Sequence, residues 1–252
     1  MMNYRLGTVV LLAFCSPSLL LAGPMGVSVD EKTQSYTITD AGQPVLTYRF
    51  GEAPLPDGVE AGHFGKGATP YNGAYFTDGS RYGGQRSDYI HPLYGFHGET
   101  LTEDYPKDHL HHRGLWWSWC EVRHNEKIGD LWAVCKIRAY PVKIVKMEAD
   151  ADHAVLQALN VWRYDDDPAP VVDETVTIRA SKTTGTEGAR SRTIDVDIRL
   201  EPLVDGLAIA GRQKVDYGGY GGMTVRLNPA VKEYSLRAVH PRPDQWRGDD
   251  LA

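Results

Sequence analysis

The chain has 252 residues, with 33 Asp and Glu against 27 Lys and Arg and a formal net charge of −6. An acidic balance without basic runs makes nucleic acid and anionic lipid surfaces poor partners, since both are bound through clustered cations. The length allows one large domain, or two small ones, with a sizeable core.

Residues 1–22 read as an export signal. Arg5 supplies a short positive start, Val9–Leu12 and Leu19–Leu21 the apolar region, and Ala22 a small residue at the cleavage point. Ser16 and Pro17 interrupt the run, which is too short for a membrane span. Phe14 stands before Cys15 where a lipoprotein signal wants a small residue, so lipidation is not expected. Cleavage removes only Arg5 among the charged residues, so the mature balance is 26 − 33 = −7. A periplasmic or secreted protein follows, with no membrane contact after cleavage. Of the two cysteines left, Cys120 and Cys135, both lie in apolar runs; export permits a disulfide, and two buried thiols are the alternative.

Val27–Val29, Ser35–Thr39 and Val45–Phe50 alternate apolar and polar residues, with the turn cluster 40–44 between the last two, a β-hairpin pattern. Residues 51–88 are rich in Gly, Pro and Asp and read as a long irregular excursion, whose Phe64, Tyr71, Tyr75, Phe76 and Tyr82 argue for order. Tyr89–Tyr94 reads as a short strand, residues 95–112 as a loop, and Gly114–Val122 as one tryptophan-rich strand. Leu131–Ala139, Val142–Met147, Ala154–Trp162, Val171–Ala180, Thr193–Leu200, Leu207–Val215 and Met223–Leu227 complete the set. No segment shows a capped helical period. Many strands at short spacing predict an all-β, antiparallel β-sandwich, one domain over residues 23–252. After Val239 no closing strand follows, which reads either as a loose terminus or as a C-terminally truncated chain.

The stretch from Tyr89 to Trp119 gathers five of the nine histidines and three of the six tryptophans among several carboxylates. Neither an aliphatic core segment nor an ordinary surface loop has that mixture; imidazoles beside flat apolar rings suit a pocket that moves protons on a small molecule. His111 and His112 face opposite sides if extended and serve one pocket only in a loop; in the extended case His109, His111 and Arg113 share a face. Catalytic candidates are His91, His111 and His112 as proton carriers, Asp108 to orient one of them and Arg113 to hold an oxyanion or carboxylate. Each has a structural alternative: a packed histidine, a loop cap, an ion pair with Asp104 or Asp108. Tyr89, Trp116, Trp117 and Arg226 are candidates for substrate binding, although alternation sends Trp116 and Trp117 to opposite faces, so some of the indoles belong to the core. His109, His111 and His112 are the ligands a divalent metal would use, at a spacing that matches no established zinc motif. The Gly218–Gly222 patch lacks the lysine and helix of a phosphate loop and reads as a tight turn or bulge. No G-x-S-x-G elbow is present.

The residues YIHPLY, GETLTEDYPKDHLHHRGLWW, the 129–132 turn and the 218–222 glycines together resemble an exported bacterial family of poorly defined function that carries the label methane oxygenase PmoA-like. The resemblance covers most of the mature chain. It implies a β-sandwich, of the supersandwich type seen in sugar mutarotases and some polysaccharide lyases, in the company of secreted proteins of carbohydrate breakdown, and family members that continue past this C-terminus. A true membrane methane monooxygenase subunit needs several transmembrane helices, and no run here offers one. The expected function is therefore histidine acid–base chemistry on a sugar or oligosaccharide, by elimination, epimerisation or hydrolysis, requiring no cofactor. The alternatives are a carbohydrate-binding protein without turnover and a metal-dependent oxidoreductase.

Overall fold

The computed structural model describes residues 24–63, 81–211 and 221–235. The export signal, the aromatics Phe64, Tyr71, Tyr75 and Phe76, glycines 218 and 219 and the tail beyond Val239 lie outside them. The described residues form fifteen strands and no helix. Every strand pairing is antiparallel.

Two sheets make the body of the sandwich. The first has the order β1 (Met25–Asp30), β2 (Ser35–Asp40), β3 (Gln43–Arg49), β6 (Tyr89–Leu93), β7 (Leu115–Trp119), β15 (Gly221–Val225). The second runs β10 (Ile137–Ala149), β11 (His153–Tyr164), β12 (Pro170–Ser181), β13 (Ile194–Pro202). A three-stranded sheet, β14 (Ala208–Ala210), β8 (Glu121–His124), β9 (Lys127–Gly129), and the short pair β4 (Gly62–His63) and β5 (Arg81–Tyr82) complete it.

The period-two pattern decides what is buried. Ile38, Leu46, Tyr48 and Trp117 of the first sheet meet Ala154, Leu156, Ala158, Val176, Ile178 and Ala180 of the second in one buried cluster. A second cluster, around Val122, Leu131, Ile137, Trp162 and Val172, fills the other end. Small alanines on β11 and β12 opposite large rings on β3 and β7 let the two inner faces interdigitate.

The sequence expectation of an all-β antiparallel sandwich holds, with local differences. The Gly114–Val122 run is two strands in different sheets, β7 and β8, separated at the buried Cys120. Of the expected Leu131–Ala139 strand, residues 131–136 are a compact turn closed by the Asp130–Cys135 bridge, and only the last three open β10. From there β10 runs unbroken through Pro141, which an edge strand with register shifts beside that proline can accommodate. Cys120 and Cys135 are both buried, and no disulfide joins them.

Candidate active site

The connection between β6 and β7 carries the histidines, and its shape is set by two successive turns. His109 N–H donates to Pro106 O (3.0 Å), and His112 N–H donates to His109 O (2.9 Å). Coiled in this way, residues three apart lie above one another, as on a helical turn. The His109 and His112 rings accordingly stack at 4.6 Å with 19° between planes. His111 meets His112 edge-on at 4.7 Å and His109 at 5.8 Å. Beneath them His112 lies on Trp116 at 5.1 Å, and Trp116 on Trp132 at 5.2 Å.

The coil is pinned from inside by Arg113, whose side chain is 0% exposed. Its guanidinium donates to the carbonyls of Leu110, His112 (2.8 Å) and Gly84 (3.1 Å), lies 3.1 Å over the Tyr105 ring, and faces Asp104 at 3.5 Å. Asp104 in turn accepts from Tyr89 O–H (3.1 Å). The loop ends at Gly114, where a Cβ would collide with Ile90 O and the His91 side chain. Only a residue without a side chain lets β7 approach β6 so closely.

A polar cluster caps the outer side. β15 pairs with β7, and Arg226 just beyond it donates its N–H to Gly114 O (2.7 Å) while its carbonyl accepts from Glu103 N–H (2.9 Å). The Arg226 guanidinium then donates to both Asp108 oxygens (2.8 and 3.0 Å) and to Glu103 (3.1 Å). Asp108 also bonds His109 Nδ1 at 3.0 Å. The hydrogen bonds from His109 and Arg226 hold the Asp108 carboxyl down at about 2, so it is a carboxylate and acts as acceptor. Nδ1 of His109 therefore carries the proton, and in the neutral ring Nε2 is a lone pair, on a side chain that is 46% exposed.

The deeper histidines are held neutral. Burial, then the neighbouring His109 and Arg226, lowers His112 to about 4. Burial, then His112 and His109, takes His111 to about 2. His112 Nδ1 is buried and makes no hydrogen bond among the described residues.

The expected site residues therefore divide. His109, His111, His112, Asp108 and Arg226 come together. His91 stands apart: its Nδ1 bonds Thr102 Oγ1 (3.0 Å), its carbonyl accepts from Arg49, and burial lowers it to about 4, all signs of a framework residue. Arg113 faces inward, so the expectation that it holds a substrate oxyanion gives way to a role in holding the loop. Tyr89 and Trp116 are 0% exposed and Trp117 2%, so none of them can stack on a ligand ring; the expectation that they bind substrate is corrected by their burial. His109, named above only as a metal ligand, and Glu103, the partner of Arg226, were not among the catalytic candidates. The signal for His109 was its place directly after Asp108 in a loop.

The three imidazoles, named above as the ligands a metal would use, are not arranged as such a site needs. In-plane lone pairs of two stacked, nearly parallel rings run side by side and do not converge on one point. Among the described residues no group of three or more His, Cys, Asp or Glu is placed to hold a metal ion.

A model of a protein family, described as a family of unknown function (DUF6807), matches residues 35–247. That description carries neither an activity nor the methane oxygenase PmoA-like label. No curated protein and no solved structure gives a match.

Proposed function

The chain belongs to the DUF6807 family of unknown function, and from its site we propose an exported enzyme that moves protons on a sugar or oligosaccharide, with His109 as the base. The observation that carries this reading is the Asp108–His109 hydrogen bond on a half-exposed ring. A carboxylate on Nδ1 fixes the tautomer, orients the ring and stabilises the imidazolium formed when Nε2 accepts a proton. Arg226 and Glu103 keep Asp108 in place. Neutral His112 below offers an N–H to charge developing on a substrate oxygen, a use of imidazole that a low pKa favours. Proton removal beside a keto or carboxyl group, leading to elimination or epimerisation, matches this equipment better than hydrolysis by paired carboxylates, because Asp108 and Glu103 are both tied to Arg226.

The carbohydrate class rests on the resemblance of the DHLHHRGLWW stretch to a family found among secreted proteins of carbohydrate breakdown. A metal-dependent oxidation, the reading the PmoA-like label carries, would require His109 to turn out of its stack on His112. Stoichiometric Fe, Cu or Zn in protein purified without a metal-affinity tag would favour it.

The test is incubation with a panel of glycans and keto sugars in deuterated water, followed by mass spectrometry. Wild type should give product or incorporate deuterium, and His109→Ala should slow this by roughly 10²–10⁴-fold. Turnover by His109→Ala at the wild-type rate would remove His109 from the mechanism. Saturable glycan binding without product or exchange would make the protein a binding module.

A further inference from the structure

A second concentration of titratable groups lies away from the histidine loop, between the two large sheets. Asp88, the residue just before β6, and Glu174, on β12, are 4% and 0% exposed. Trp117 Nε1 of β7 donates to both carboxyl groups, to Asp88 at 3.1 Å and Glu174 at 2.9 Å. Asp88 also accepts from Tyr48 O–H of β3 (2.6 Å) and Asn160 Nδ2 of β11 (2.9 Å). The second Glu174 oxygen accepts from Trp162 Nε1 of β11 at 3.1 Å. The two carboxyl groups therefore meet at one indole N–H. Two ionised carboxylates at that separation are acceptors only and repel, and one proton held between them removes the repulsion.

We propose that Asp88 and Glu174 share one proton and form a clasp between the sheets, so that the seating of β7, and with it the histidine loop, depends on pH. Donor count and charge place the negative charge on Asp88 and the proton on Glu174. Asp88 receives Tyr48, Asn160 and Trp117 and lies in the favourable field of buried Arg86. Burial raises both carboxyl groups, and Glu174, facing the Asp88 charge, is raised furthest. The titratable and charged groups around the pair are Tyr48 from β3, Arg86 from the segment before β6 and Arg138 from β10, which lines the same small cavity as Asp88 and Trp117. β7 and β11 contribute only neutral Trp117, Asn160 and Trp162.

Loss of the proton to solvent leaves two like charges around one indole N–H in a dry interface, which the sheets relieve by separating. Trp117 is the element displaced. Its neighbour Trp116 points to the opposite side of β7 and carries His112 at 5.1 Å. One strand thus links the clasp to the loop.

Glu174→Gln removes the proton equilibrium without adding charge. The group's folded pKa is raised, so its contribution to stability is complete below its unfolded value of 4.5 and is lost as pH rises from there toward the folded value. Relative to Glu174→Gln, wild type should lose roughly 3–5 °C of Tm per pH unit across that window. A Tm difference independent of pH between 5 and 9 overturns the proposal. If Glu174→Gln does not fold, wild type with carbon-13-labelled glutamate decides the matter by NMR: one carboxyl should remain protonated above roughly pH 6, where ordinary glutamates are ionised. Full ionisation of every glutamate by that pH overturns the clasp. The His112 ring resonances should move in the same pH step; their indifference to it overturns the link to the loop.

Discussion

Arg113→Met separates a loop-holding arginine from a substrate-holding one. In the structure this guanidinium has no exposed surface and spends its donors on the carbonyls of Leu110, His112 and Gly84, with Asp104 at 3.5 Å. Methionine fills much of the volume over Tyr105 but leaves three carbonyls without their donor and Asp104 without its counter-charge. Removing one partner of a buried pair costs about 3–5 kcal/mol. A domain of this size loses about 2–4 °C of Tm per kcal/mol, so the expected drop is roughly 6–20 °C. Thermal denaturation followed by near-ultraviolet circular dichroism measures it, because the Trp116–Trp132 pair beneath the loop supplies an aromatic signal. A variant that melts within about 1 °C of wild type, yet no longer binds or converts the substrate that wild type accepts, would refute the reasoning and return Arg113 to the ligand side.

Two further outcomes follow from the same geometry. His91, His111 and His112 have folded pKa values lowered by burial, to about 4, 2 and 4, from the ordinary histidine value of 6.5. Their contribution to stability is complete above pH 6.5 and declines as pH falls toward the folded values. Asp88, Asp104 and Glu174, whose carboxyl groups burial raises, pull the other way, so the measurement is a difference: wild type should lose Tm relative to His111→Gln between pH 6.5 and 4, and a difference that does not change over that window contradicts the assignment. Trp116→Ala should destabilise by about 3–5 kcal/mol in urea titrations, as expected for an indole removed from a packed interior. Unchanged stability with lost glycan binding would show instead that the ring faces a ligand.

Much of the scaffold could be read from residue order alone because alternation is a local signal. Ile194, Val196 and Ile198 face one side of β13 and pack on the core, as their spacing says. Pro141 and Cys120 misled for opposite reasons. A proline looks like a strand break but is tolerated on the edge strand β10, whereas a cysteine inside an apolar run gives no sign that the chain leaves one sheet for another. The site was legible as a region and not as an arrangement. Read as extended, residues 109–113 put His109 and His111 on one face; the two turns instead put His109 and His112 in one stack. Those turns depend on Arg113 reaching Gly84, nearly thirty residues earlier, and on Arg226 reaching Asp108 from more than a hundred residues later. Contacts at such separations leave no local pattern.

Gly114 sets a limit on how such a site can change. Since a single added methyl group would strike the neighbouring strand, the chain leaving the histidine coil has one permitted path. The exposed positions 107–109 are under no such restraint. Descendants of this protein are free to exchange the exposed side chains of the coil while the platform presenting them stays put, so change would come here by redecorating the coil and not by moving it.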